Sequence, residues 1–184
     1  MAQFKKDIWV FGYGSLMWRP DFSHIEMQPA LLRGYHRSLC VYSIDHRGTK
    51  KKPGIVLGLD RGGACKGLAM RVKSSHAENV LKYLHKREMK HEVYCPRWLT
   101  VRIPCKTIEA YCFIVDRNHS QYAGKLDDKE ILKLIRQGSG RGGDCFDYLS
   151  STIYKLEELG IVDKSLQRIF NLLKKTSVIN STAL

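Results

Sequence analysis

As far as Val115 the chain reads as short apolar runs and period-two alternation, and beyond it apolar residues recur at helical spacing. Ile8-Trp9-Val10-Phe11, broken by Gly12 and Gly14, predicts a buried strand running into a tight loop. Further strands are expected at Ser38 to Tyr42, Ile55 to Leu59 and Gly67 to Val72, the last two joined through Asp60-Arg61-Gly62-Gly63 as a hairpin. Ser75-His76-Ala77-Glu78 has the spacing of a capping box, so a helix is expected from Ser75 to about Glu88. Trp98 to Ile103 alternates as a half-buried strand, and Ile108 to Val115 is a more apolar one.

In the last third, Asp127-Asp128-Lys129-Glu130 opens an amphipathic stretch ending at Gly138. Phe146, Leu149, Ile153 and Leu156 mark a second helix ending at Gly160, and Asp163 to Lys175 a third. Gly138 to Gly143 is expected as a flexible loop. Strands followed by helices, without a repeat or a long linker, predict one α+β domain over residues 1–184 with flexible tails at 1–7 and 177–184. At 184 residues, such a domain buries about 70% of the surface of its unfolded chain.

Composition changes this picture little. Hydrophobic residues at 43% and charged residues at 27% are ordinary globular usage. The net charge of +13 raises a nucleic-acid-binding barrel as a rival reading, helped by 10% aromatic residues. Basic and aromatic residues do not interleave in one segment, however, and the pure basic run Lys50-Lys51-Lys52 reads as a solvated turn beside Pro53-Gly54. The six cysteines lack metal-site spacing. With no secretory leader before Ile8 and no apolar run near 18 residues, a reducing cytoplasm is the expected setting, with no membrane partner.

Two places carry chemistry. Gly12-Tyr13-Gly14-Ser15 lacks the third glycine of a dinucleotide fingerprint and the Gly-Lys-Ser or Gly-Lys-Thr of a phosphate loop. Two glycines do let the backbone approach a ligand closely, with main-chain N–H groups aimed at an anion or a polarised carbonyl oxygen; a plain strand-ending turn is the alternative. In the expected helix, Ala77, Leu81 and Leu84 form an apolar stripe whose next member is Glu88. A carboxylate aimed at the core is kept when it is paired or when a raised pKa is useful, so Glu88 is either a base or the partner of Arg87 or Lys86.

Together, Trp9-Val10-Phe11-Gly12-Tyr13-Gly14-Ser15-Leu16-Met17-Trp18, Asp45-His46-Arg47-Gly48 with Pro53-Gly54, and Lys86-Arg87-Glu88-Met89 leading to Tyr94 and Pro96 resemble the ChaC family of glutathione-specific γ-glutamylcyclotransferases. The resemblance implies a small bent β-barrel of the γ-glutamylcyclotransferase-like type with surrounding helices. It also implies cleavage of glutathione to 5-oxoproline and Cys-Gly, with Glu88 as base, Val10, Phe11, Gly12, Tyr13, Gly14 and Ser15 as the substrate loop, and Tyr94 lining the pocket. A monomer without metal or other cofactor suffices for that scheme. The chain departs from the family pattern at Ile55, usually Arg, at His91-Glu92, where a glycine is common, and before Tyr148-Leu149, where Arg141 to Cys145 lacks an asparagine.

Overall fold

The computed structural model describes residues 4–181, with side chains from 4 to 175. Of the tails expected at 1–7 and 177–184, only 1–3 and 182–184 lie outside the described residues; Phe4 packs on the core and the last helix continues to Ser181, beyond the Lys175 expected as its end. The elements are β1 (Ile8–Gly12), a 3₁₀ turn (Ser15–Met17), β2 (Glu26–Ser43), β3 (Gly54–Val72), α1 (Ser74–Glu88), β4 (Tyr94–Ile103) and β5 (Lys106–Val115). They are followed by α2 (Asp128–Gln137), β6 (Ser139–Gly140), β7 (Gly143–Asp144), α3 (Cys145–Glu158) and α4 (Lys164–Ser181).

The first five strands close into a barrel in the order β1-β3-β2-β4-β5, as the bent-barrel expectation requires. β5 returns to β1 in parallel, pairing Trp9 with Ala110 and Val10 with Tyr111. Such closure leaves no open sheet edge. Chain contacts divide the molecule into two compact units, Met1–Ser38 with Leu57–Tyr122, and Leu39–Val56 with Ala123–Leu184.

In the first unit, α1 lays Ala77, Val80 and Leu84 on Ile8, Val10, Met70, Val72, Tyr111 and Phe113. Burial of Val80 and Leu84 stabilises by about 1.5–3 kcal/mol each, which holds the end of α1 against the strands. The helix is not capped as its sequence suggests: Lys73 is the N-cap and no side chain caps it. Instead the Ser74 N–H donates to Asp7 Oδ1 at 3.0 Å, and Glu78 pairs with Lys82 at 2.7 Å. Ser75 lies inside the first turn, too late to cap it.

The hairpin expected at Asp60-Arg61-Gly62-Gly63 is also replaced. β3 runs through it as one strand of 19 residues, Gly54–Val72. Gly62 and Gly63 take φ of +97° and +70°, a left-handed conformation open to glycine, so the strand bends sharply without ending. Ser38 to Tyr42 likewise lies inside the longer β2, and the strand expected from Trp98 begins at Tyr94.

In the second unit, α2 starts with a complete capping box: the Glu130 N–H donates to Asp127 Oδ1 at 2.8 Å and the Asp127 N–H to Glu130 Oε2 at 3.3 Å. The loop expected at Gly138 to Gly143 is a two-stranded ribbon of β6 and β7. It is held close to the Asp45–Gly48 turn, since a Cβ on Gly140 would lie 2.5 Å from the Asp45 carbonyl oxygen. Lys50, Lys51 and Lys52 are exposed in a turn closed by Thr49, as expected for a solvated run.

Candidate active site

β1 delivers the Gly12–Ser15 loop. Val10 and Phe11 are wholly buried, so this part of the segment offers a ligand backbone rather than side chains. At Gly12 a side chain has no room: its Cβ would meet Met70 Cε at 3.0 Å and Leu16 Cβ at 3.2 Å. Gly14 precedes the 3₁₀ turn with φ of −135° and ψ of −127°, and no side chain caps that turn. The first N–H groups of a helical turn lack internal partners.

Tyr13 is fixed at both ends. Its hydroxyl donates to the Phe113 carbonyl at 3.0 Å, and its own carbonyl accepts from Arg37 Nε at 2.5 Å. Arg37 is buried in β2 and also donates through Nη2 to the Lys66 carbonyl at 2.6 Å, which ties the loop to β2 and β3. The sequence carries no signal for this, because an arginine in an alternating strand reads as a surface residue.

Glu88 ends α1 where the stripe of Ala77 and Leu84 places it, and about 20% of its side chain is exposed. Desolvation raises its carboxyl above the usual glutamate range, and the charge and hydrogen bond of Arg87 pull it back only in part. The ion pair with Arg87 is present at 3.1 Å, Nε to Oε1. Of the two roles weighed for Glu88, the pairing with Arg87 is present, and burial raises its carboxyl in the direction a base requires.

Arg87 joins the two halves of the site. While Nε faces Glu88, Nη2 donates to Ser15 Oγ at 3.0 Å. Nη1 reaches the carbonyls of Arg19 at 2.8 Å and Pro20 at 3.1 Å, and the Tyr83 hydroxyl at 3.1 Å. One planar guanidinium therefore brings Ser15 and Glu88 together, although they stand 73 positions apart in sequence, with β2, β3 and most of α1 between them.

Tyr94 packs against the same apolar cluster as Val10 and Leu16, and its hydroxyl donates to the Leu57 carbonyl at 2.9 Å. Among the described residues no cluster of three or more metal-ligating side chains occurs.

The ChaC-like protein family matches residues 8–176, nearly the whole described chain. This chain belongs to that family. Its relatives include the glutathione-specific γ-glutamylcyclotransferase of Escherichia coli K12, 36% identical over 169 residues that cover 91% of this chain and 73% of that protein. The Schizosaccharomyces pombe protein of the same name is 32% identical over 181 residues, covering 86% of this chain and 87% of its own. A crystal structure of the yeast γ-glutamyl cyclotransferase specific to glutathione superposes with a TM-score of 0.84 at 21% identity, over 93% of this chain and 97% of that one. The fold is that of the γ-glutamylcyclotransferases.

Two departures from the family pattern meet in the second unit. The Ile55 N–H donates to Cys145 Sγ at 3.2 Å, and the Cys145 thiol donates to the Ile55 carbonyl at 2.8 Å. A thiol that both accepts and donates does here what a side-chain amide does. Burial pushes the Cys145 thiol up to about 11, away from the thiolate form that a nucleophile requires.

Proposed function

We propose that this protein is a glutathione-specific γ-glutamylcyclotransferase, a lyase that releases 5-oxoproline and Cys-Gly. The observation that carries the reading is the meeting of Ser15 and Glu88 on Arg87, which sets a base beside a glycine-bearing loop. The E. coli, S. pombe and human relatives carry the glutathione-specific name, which supports glutathione as the substrate.

Glu88 takes a proton from the substrate's α-ammonium. The freed amine attacks the γ-carbonyl carbon of the same molecule and a C–N bond forms. Glu88 passes its proton to the leaving nitrogen as the γ-amide C–N bond breaks, then takes the second proton from the new ring nitrogen, and that proton also ends on the amine of Cys-Gly, which leaves as an ammonium. Because nucleophile and electrophile share one molecule, binding has chiefly to fold the glutamyl chain, a gain of proximity and orientation. A base with a raised pKa is matched to an amine near neutral pH. The loop N–H groups from Gly12 to Ser15 receive the oxyanion, each good donor contributing about 3–4 kcal/mol in comparable acyl chemistry.

The family match spans residues of both compact units, which supports assigning the chain to one γ-glutamylcyclotransferase-like domain. Among the described residues no cysteine is joined in a disulfide, in keeping with a cytoplasmic setting. No described helix is long and apolar enough to cross a membrane.

The test is a substrate panel. Purified protein incubated with glutathione is expected to release 5-oxoproline and Cys-Gly in equal amounts, and to act at least tenfold more slowly on γ-glutamyl dipeptides that lack the glycine. Equal rates across the panel overturn the specificity, and no 5-oxoproline from any member overturns the reaction.

A further inference from the structure

Several features outside the candidate site are accounted for by the fold. The groove of Lys164, Arg168 and Lys175 is a solvated helix face, with Arg168 already paired to Asp128. Exposed Phe146 and Tyr154 pack on Phe170 of the neighbouring helix. Arg87 is different: it makes more directed contacts than an ion-pair partner needs, and it spans both halves of the site.

We propose that Arg87 is the positioning residue of this site, setting the distance between the Glu88 carboxylate and the Gly12–Ser15 loop through a single rigid guanidinium. The reaction assigned above is the setting of this proposal. Nε serves Glu88, Nη2 serves Ser15, and Nη1 serves the chain just after the 3₁₀ turn. A planar fork with fixed angles transmits position between such groups; a lysine ammonium, a point charge on a flexible stem, satisfies one at a time. The surrounding geometry depends on it. Asp21 holds a left-handed φ of +55° and is pinned by Arg19 at 3.1 Å and by Arg87 Nη1 at 3.4 Å. Tyr83, one helical turn before Arg87, buttresses the guanidinium through its hydroxyl.

The charged and titratable groups on this cluster are Glu88 and Tyr83 on α1, Asp21 and Arg19 on the segment after the turn, and His85, which bonds the Tyr111 hydroxyl of β5. Arg87 lies within ion-pair distance of Glu88, at 3.1 Å, and its charge and hydrogen bond both act to lower that carboxyl. Replacing it with a neutral residue therefore has two separable effects, loss of a charge beside the base and loss of the link to Ser15.

Arg87→Gln and Arg87→Lys separate them. The Glu88 carboxyl carbon, assigned by its loss in Glu88→Gln, is titrated by NMR in all three proteins while the Ser15 amide resonance is followed. In Arg87→Gln the Glu88 midpoint is expected to rise, and in Arg87→Lys to stay near wild type while the Ser15 amide shifts. In 5-oxoproline release, Arg87→Lys is expected to lose about 10²-fold in kcat, as for a misplacement of the order of an ångström. An unmoved Glu88 midpoint in Arg87→Gln, an unmoved Ser15 amide in Arg87→Lys, or a wild-type rate in Arg87→Lys overturns the proposal. Should Arg87→Gln not fold, the lysine variant decides alone. A wild-type protein silent on every γ-glutamyl compound overturns the assigned reaction, and the two titrations then decide the positioning role by themselves.

Discussion

Glu88 and Glu92 are four positions apart and show opposite uses of a costly residue. Glu88 costs stability at neutral pH: its folded pKa lies above its unfolded one, so the folded state binds the extra proton and stability falls as pH rises through that window, a cost in keeping with the base role proposed for it. Periodicity alone brought Glu88 to the buried stripe, but Arg87's reach to Ser15 was invisible, because contacts over that separation depend on how the strands bring the segments together. Glu92 spends stability with no such return. It holds φ of +54°, where a residue with a Cβ pays about 1–2 kcal/mol, at a place where the resembled family commonly has glycine. Glu92→Gly is therefore expected to raise the urea midpoint by the equivalent of roughly 0.5–1 kcal/mol, after the added freedom of the unfolded chain is subtracted. A lowered midpoint would mean that the Glu92 side chain contributes more than its backbone costs.

Among the elements, β3 shows where sequence reading stops. Asp60-Arg61-Gly62-Gly63 carries the same local signal whether a chain reverses or only bends, and pairing with β2, beyond any short window, decides between them. The capping box at Ser75 failed for a related reason, since Asp7, far off in sequence, supplies the first acceptor of α1. At Asp127, where the sequence was read only as the start of an amphipathic stretch, a complete box forms because all its parts are local. Beside the bend, buried Asp60 ties β3 to the segment after β5. Burial opposes its charge, but hydrogen bonds from Arg117, the Arg61 N–H and Tyr122, with the charge of Arg117, outweigh burial and hold the carboxyl below its usual range. The folded pKa lies below the unfolded value of about 4, so this tie stabilises at neutral pH and is lost as pH falls through the folded pKa. Tyr122→Phe is expected to cost about 1–2 kcal/mol in urea unfolding at pH 7 and less at pH 3. An equal cost at both values would place the effect in packing instead.

At the scale of the whole molecule, the barrel with helices was legible through the resemblance of three segments more than through periodicity, which gave strands and helices but no closure. Part of the excess charge of +13 is accounted for by the fold: its basic run is a solvated turn, and Arg37, Arg47 and Arg87 face carbonyls, a ring face and a carboxylate. What defines the molecule is the pairing of a backbone-lined loop with a carboxylate whose proton affinity is raised. The most direct test of that pairing is the rate of 5-oxoproline release from glutathione by Glu88→Gln, which keeps the shape of the side chain but cannot act as a base. With the fold verified by circular dichroism, kcat is expected to fall by about 10²–10⁴-fold relative to wild type; a variant within a few-fold of wild type would contradict the account.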